Sequence, residues 1–373
     1  MKFSIKKTDI RSILGKVQGI CSRKTNLAIT ENVLIDATGG GLRISATDLE
    51  TGFEGHYQTE IESEGMIAIN AKKFLEIVRE FPTDTIYVTE IENRWIEIGT
   101  EKVEFHIMGM DPEAFPGVPQ ISDISLFEMN SAALRRMIER TVVITSPSED
   151  KRTHLLGVFF ESVSNNDQKS LKMVSTDGNR LSVVDYPYEG EIELESGILI
   201  PKKGLQEVLK FLDSDGTVQI GAKESHFVVK KGGETLCIRL LEGDFPRYAD
   251  ILEQIVSGEN HQILLNRQTF LMMVKRMSIL SSESYKGVIF NIENNCLVVR
   301  TTNPELGESR EDVGIEYDAE PIEMAFNPRF IMETLNAIED ETVRMTIFSA
   351  SKPCHLKGEN DNTYISVIMP MKI

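Results

Sequence analysis

Three side-chain pairs recur at positions where catalysis could be imagined: Thr47-Asp48, Thr176-Asp177 and Thr302-Asn303. A carboxylate beside a hydroxyl can serve hydrolysis as a general base, but it needs a second acid or a histidine within reach. Neither recurs beside these pairs, and the third copy carries an amide in place of the carboxylate. A Thr-Asp at a strand end more simply closes a turn by side-chain to backbone hydrogen bonds. The glycine runs at Gly39 and Gly232-Gly233 are not followed by Lys-Ser or Lys-Thr, so no nucleotide-cradling loop is indicated. Cys21, Cys237, Cys296 and Cys354 are scattered, with only His355 nearby. That spacing suggests neither a zinc site nor a disulfide framework and suits buried free thiols. No cofactor, metal or catalytic residue is expected.

Basic side chains offer a different chemistry, the binding of phosphate. The net charge of −18, from 40 Lys and Arg against 58 Asp and Glu, argues on average against nucleic acid. The average conceals a segregation. Arg11 and Lys16; Lys72, Lys73 and Arg79; Arg135, Arg136 and Arg140; Lys202, Lys203 and Lys210; and Lys275 and Arg276 fall in segments of helical period. Glu60, Glu62, Glu64, Glu189, Glu191, Glu193 and Glu195 fall in strands and loops. Lysine and arginine favour exposed helix surfaces in any protein, so the argument rests on recurrence in five of six helices. One positive face on an acidic body would meet phosphates without reading bases and would repel DNA elsewhere.

The scaffold that must position these groups is a unit written three times. LRISATDL from Leu42, LKMVSTDG from Leu171 and LVVRTTNP from Leu297 share an alternating strand and a turn, 126 to 129 residues apart. INAKKFLEIV from Ile69, IPKKGLQEVL from Ile200 and FNPRFIMETL from Phe326 repeat in the same order. Phe115-Pro116 and Phe245-Pro246 close the first two copies, and the third stops at Met369-Pro370-Met371. Apolar spacings of three and four predict a first helix in each copy, through Ile10, Ile13, Leu14 and Val17, through Leu134, Met137 and Ile138, and through Phe270, Met273, Val274 and Met277. Asn130 and Asn266 are N-cap types, and a second helix is expected to start near Asn70, Pro201 or Asn327. Strands alternate between them, as in Leu42, Ile44 and Ala46. The expected fold class is α+β, with three repeated domains of two helices packed on antiparallel sheet.

Turn-formers set the expected domain limits at 1–120, 127–254 and 260–373, with short connections. A chain of 373 residues accommodates three such domains, each burying its own core. No apolar run approaches the roughly 18 residues that cross a bilayer. The segment from Met1 to Lys7 also lacks the apolar stretch of a secretion signal. A cytoplasmic location with no membrane partner is expected.

The opening MKF, the TDL, TDG and TNP turns, TDGNRLSVV from Thr176, PKKG from Pro201, EGDFPRY from Glu242 and the terminal VIMPMKI together resemble the bacterial sliding clamp family. That family is the beta subunit of the replicative DNA polymerase, and the resemblance runs from end to end. It implies three DNA-clamp domains per protomer and a head-to-tail homodimer closed into a ring, with helices lining a central hole and sheets outside. The implied function is that of a processivity factor. It would encircle double-stranded DNA without sequence preference and tether the replicative DNA polymerase, clamp loader and repair proteins through short peptide motifs.

The family's peptide pocket falls here on Leu155, Thr176, Gly178, Arg180, Leu181, Pro246, Ile251, Asn327, Phe330, Val367, Met369, Pro370 and Met371. A deformable apolar groove with Arg180 and Asn327 to orient a backbone suits that use. The resemblance places DNA contact at Lys24 and Arg152, with Arg23 and Lys151 beside them, in addition to the helical Lys72, Arg135, Arg136, Lys202 and Lys203. It implies a protomer seam in which Lys73 and Phe105 meet Ile279 and Leu280, with Glu305 and Glu308 as ionic partners. The second helix of copy three offers only Arg329 against Glu333, Glu339 and Asp340, so its share of a positive face is weak.

Two other classes compete. A hydrolase would show turnover on nucleotide or ester substrates, and a scaffold of repeated domains would show no topological retention on DNA.

Overall fold

The computed structural model describes residues 1–22, 25–100, 102–119, 123–144, 152–165, 168–190, 194, 197–256, 260–281 and 287–372. Its helices are α1 (Lys7–Cys21), α2 (Ala71–Glu80), α3 (Ser131–Val142), α4 (Lys202–Phe211), α5 (Tyr248–Val256), α6 (Arg267–Met277) and α7 (Pro328–Ala337). The expected stripes are buried, Ile10, Ile13, Leu14 and Val17 in α1, where Ile20 extends the face, and Phe270, Met273, Val274 and Met277 in α6. The asparagines act as caps, and each offers its side-chain oxygen to a free amide of the first turn. Asn70 accepts from Lys73 N at 3.0 Å, Asn130 from Ala133 N at 2.9 Å, Asn266 from Thr269 N at 3.0 Å and Asn327 from Arg329 N at 3.0 Å. Helix α5 was not expected from the sequence. It follows the EGDFPRY segment, and its Tyr248 and Leu252 pack on a core that other segments provide.

The chain separates into two compact units, residues 1–135, 190–195 and 200–241 in the first and 136–189, 196–199 and 242–373 in the second. In the first unit one antiparallel sheet runs in the order Phe127–Asn130, Thr217–Lys223, His226–Lys231, Glu234–Arg239, Thr51–Tyr57, Leu42–Thr47, Asn32–Asp36 and Met66–Asn70. Strands of the first and second repeats therefore join edge to edge, with Leu236 opposite Phe53. A second sheet runs Glu60–Ser63, Lys2–Lys6, Thr85–Glu90, Trp95–Thr100 and Val103–Met108. Helix α1 approaches α4 closely at Gly19, where a Cβ would run into Glu207 and Lys210.

The second unit repeats the arrangement. Gly157–Asn165, Gln168–Thr176, Arg180–Pro187, Tyr364–Ile368, Cys354–Gly358, Thr342–Ile347 and His261–Asn266 are successive antiparallel neighbours. The second and third repeats meet here, with Leu181 opposite Val367. A smaller sheet runs Gly307–Gly314, Cys296–Asn303, Val288–Glu293 and Ile322–Phe326. Period-two burial along Thr342–Ile347 and Cys296–Asn303 sets which side chains enter the core. Joining edges across repeats removes long unpaired strands that would otherwise invite non-specific pairing.

Candidate peptide pocket, cationic helices and protomer seam

The recurring Thr-Asp pairs are turn devices. Thr176 Oγ1 accepts from Gly178 N at 3.1 Å and donates to the Arg180 carbonyl at 2.7 Å. Asp177 Oδ1 accepts from the amides of Asn179 at 3.0 Å and Arg180 at 3.1 Å. Gly178 sits at φ +89°, which a side chain would strain. In the first copy Leu49 N donates to Thr47 Oγ1 at 3.0 Å and Thr51 N to Asp48 Oδ1 at 2.6 Å. In the third copy Asn303 takes the same part, accepting from Glu305 N at 3.0 Å. An amide oxygen serves this purpose as well as a carboxylate, which explains the exchange.

The turn delivers Arg180 into the second unit's interior, where it is 4% exposed. Its Nε lies 3.0 Å from Asp177 Oδ2, its Nη2 lies 2.5 Å from Glu333 Oε2 on α7, and its guanidinium carbon is 4.3 Å from the Phe330 ring centroid. Next along the strand, Leu181 joins Val174, Val183 and Val367 in a core on which Phe159, Phe245, Tyr248 and Leu252 pack. Leu155 is buried as well. Burial, and then the hydrogen bond to Glu161, push the Tyr248 phenol well above its ordinary pKa. Of the other residues expected in the pocket, Met369, Met371 and Ile251 are large apolar side chains exposed to solvent, and Pro246 is exposed as well. Pro370 lies between the two methionines and is half-buried. The tail is pinned by Met369 N to the Asn179 carbonyl at 2.9 Å and by Met371 N to the Ala325 carbonyl at 2.7 Å. Asn327 spends its side-chain oxygen on capping α7. Arg152 lies on the same side of the turn, since a Cβ on Gly178 would come within 3.6 Å of its Nη1.

The helical cations are mostly engaged. In the first unit Lys16 reaches Glu234 at 2.6 Å, Lys73 reaches Glu76 at 2.9 Å and Lys210 reaches Glu207 at 3.0 Å. Arg135 donates to the carbonyls of Leu209 at 2.9 Å and Leu212 at 2.6 Å, closing the end of α4. Lys72 and Lys203 are exposed and Lys202 is half-buried. In the second unit Arg136 is 3.2 Å from Glu339, Arg329 is 2.7 Å from Glu333, and Arg276 pairs with Glu311. Arg140 departs from the sequence reading. It is buried and paired with Asp361 at 2.8 Å, so it contributes to the core rather than to a surface. Arg23, Lys24 and Lys151 lie outside the described residues. A groove of about 700 Å³ is lined by first-unit residues that include Lys16, Tyr57 and Glu234, but those three satisfy one another.

Two strand edges carry the residues expected at the seam. In the first unit Val103–Met108 pairs with Trp95–Thr100 on one side only among the described residues, and Phe105 on it is 37% exposed. Glu97, Glu104 and His106 on this hairpin gather as a cross-strand polar ladder, with His106 Nε2 3.4 Å from Glu97 Oε2. In the second unit Gly307–Gly314 pairs with Cys296–Asn303 alone among the described residues. Beside it Ile279 is 73% and Leu306 61% exposed, and Glu305 and Glu308 are exposed. Asn303 Nδ2 donates to the Leu280 carbonyl at 2.9 Å and holds that segment to the sheet. Sequence reading named side chains here and missed the free backbone edges, which are visible only in the strand order.

Three repeats of paired helices on antiparallel sheet, joined edge to edge, define a repeat protein of α+β domains. Comparison with known proteins makes this specific. The DNA polymerase III beta subunit N-terminal domain matches residues 1–119, the central domain 128–247 and the C-terminal domain 255–372. A beta sliding clamp of Haemophilus influenzae is 31% identical over 381 residues, covering 100% of both chains. A sliding clamp of Bartonella birtlesii, solved bound to griselimycin, is 26% identical with a TM-score of 0.92 over 100% of both chains. The DNA polymerase III subunit beta of Pseudomonas aeruginosa is 27% identical with a TM-score of 0.91, again over 100% of both chains. The chain belongs to the DNA polymerase III beta subunit family, the beta sliding clamps.

Proposed function

We propose that two copies of this chain close head to tail, the free edge at Val103–Met108 of one meeting the free edge at Gly307–Gly314 of the other, to form a ring around duplex DNA. The observation that carries the reading is this pair of strand edges, unpartnered among the described residues and each flanked by exposed apolar side chains, Phe105 on one and Ile279 and Leu306 on the other. Edge pairing would satisfy both rows of backbone groups and bury the apolar side chains within a charged rim that includes Lys73, Glu305 and Glu308. Leu280 belongs to the same seam.

A closed ring retains DNA by topology, so its phosphate contacts need not be tight. That suits helices on which many cations already have acidic partners, and the loose, sequence-independent contact is assigned to Lys72, Lys202 and Lys203, with Arg23, Lys24, Arg135, Arg136, Lys151 and Arg152. Polymerase, clamp loader and repair proteins would dock by short peptides on Met369, Met371, Ile251 and Pro246 above the Leu181 and Val367 floor. Tethering then raises the polymerase's local concentration at the primer end. The domain limits of this reading are 1–120, 127–254 and 260–373. Among the described residues no helix is long and apolar enough to cross a membrane, and a part in bacterial replication would be played in the cytoplasm.

The test is retention at high salt after loading by a matched clamp loader and ATP, on a nicked circle and on the same DNA linearised. Retention on the circle with loss from the linear form supports the encircling ring. Equal loss from both, with a known clamp retained in parallel, contradicts it.

A further inference from the structure

Glu333 sits at the meeting point of two arginines. Its Oε2 accepts from Arg180 Nη2 at 2.5 Å and its Oε1 from Arg329 Nε at 2.7 Å. Phe330 and Glu333 are three residues apart on α7, so one helix face presents both a ring and a carboxylate to the same guanidinium. Asp177 holds the other side of that guanidinium through Nε at 3.0 Å. Two carboxylates and two arginines thus form a charge-balanced cluster, and charge-assisted bonds to a planar fork fix its orientation as well as its position. With Nε and Nη2 committed, Arg180 Nη1 is buried and has no acceptor among the described residues. A buried donor without an acceptor is uncommon and calls for an explanation.

We propose that Glu333 is a positioning residue of the peptide pocket: it holds the Arg180 guanidinium flat against Phe330, so that Nη1 is the donor reserved for a carbonyl or carboxylate oxygen of the docked peptide. Arg329 steadies Glu333 from the solvent side. The inference rests on the pocket reading given above and assigns within it a residue that touches no ligand. It predicts that a peptide lacking an acceptor at this point loses affinity even when its apolar side chains are kept.

The experiment is calorimetric titration of griselimycin into the full chain and into E333Q, E333D, R180A and the R180A/E333Q double variant, with thermal melts of each. Glu333→Gln keeps the size and removes the charge, and it is expected to weaken binding about tenfold, the loss of one charge-assisted contact. Glu333→Asp retains the charge at shorter reach and should fall between E333Q and the parent, which also covers the case in which E333Q does not fold. Because Glu333 acts through Arg180, the double variant should bind no more weakly than R180A alone, whereas a general structural role would make the losses add. If R180A weakens binding while E333Q and E333D stay within twofold of the parent, or if the losses add, the role of Glu333 is overturned. If R180A itself binds like the parent, the pocket reading fails, and the inference fails with it.

Discussion

The guanidinium carbon of Arg140 lies 5.0 Å from the centroid of the Tyr364 ring, and its Nη2 lies 2.8 Å from Asp361 Oδ2. This arginine belongs by sequence to a run of helical cations, yet it is buried and joins α3 to the strand Tyr364–Ile368 and the segment before it. Arg140 should therefore be far more sensitive to substitution than Arg136, which pairs on the surface. Arg140→Ala leaves Asp361 without its cationic partner and is expected to cost about 3 kcal/mol, against less than about 1 for Arg136→Ala. Urea unfolding midpoints of the two variants check this.

Acid should weaken the same region late. Burial tends to raise the Asp361 carboxyl, but hydrogen bonds from Thr363 and the charge of Arg140 outweigh it and hold the pKa below the ordinary 3.8. A depressed carboxylate stabilises the fold above its unfolded pKa, and that contribution is lost as pH falls through the folded value. The Arg140–Asp361 contribution should be constant from neutrality to about pH 4 and disappear only below 3.8. In R140A that acid-dependent part should be smaller, which pH-dependent unfolding of the two proteins will show.

His355 acts in a higher window. Burial, with Lys357 nearby, lowers its pKa from 6.5 to about 4, and its Nε2 has no hydrogen-bond partner. The unfolded chain takes up a proton below pH 6.5 that the folded chain refuses until about 4, so stability falls as pH drops through that interval. The loss is on the order of 3 kcal/mol. His355→Gln should remove this slope, and comparing unfolding midpoints at pH 7 and pH 4.5 tests it.

The thiols should differ in reactivity. Burial pushes Cys21 and Cys354 up to about 12 and Cys237 up to about 11, whereas Cys296 is only half-buried. Thiolate is the reactive form, so titration of the native protein with a disulfide reagent should find Cys296 alone, and all four after denaturation. Rapid reaction of more than one native thiol would contradict this burial.

Charged replacement of Ile279 and Leu280 should give monomers. Ile279 is 73% exposed and contributes little to its own unit's core, so I279D should fold normally, and a circular-dichroism melt checks that I279D with L280D, whose Leu280 is half-buried, also folds. A dimer mass persisting in sedimentation at low micromolar concentration would remove these residues from the seam.

Truncation after Ile368 tests the pocket. It removes the exposed Met369 and Met371 but keeps Val367 and Ile368 in the strand. Affinity for a polymerase peptide should be lost with the melting temperature lowered only slightly. Unchanged affinity would exclude the tail from binding.

Local order was legible because it depends on residues near one another in sequence. The helix stripes, the asparagine caps and the thrice-written turn each lie within a few residues, and periodicity reports them directly. The Thr-Asp pairs could be read as turns for the same reason, and Asn303 performs that task with an amide. Charge was read less well. Composition and period placed Arg136 and Arg140 alike on α3, but burial against Tyr364 and Asp361 separates them, and those partners lie more than two hundred residues away.

Tertiary structure alone decided how the repeats join. Sequence marks where a copy begins, but strand pairing is a long-range choice among many compatible edges. Here Glu234–Arg239 adds to the first repeat's sheet, and Arg180–Pro187 adds to the third's. That choice leaves Val103–Met108 and Gly307–Gly314 as edges open among the described residues and sets Glu333 beside Arg180. Side-chain pattern specifies a strand and its buried face, whereas the partner at its edge is selected by backbone hydrogen bonds that carry no residue identity.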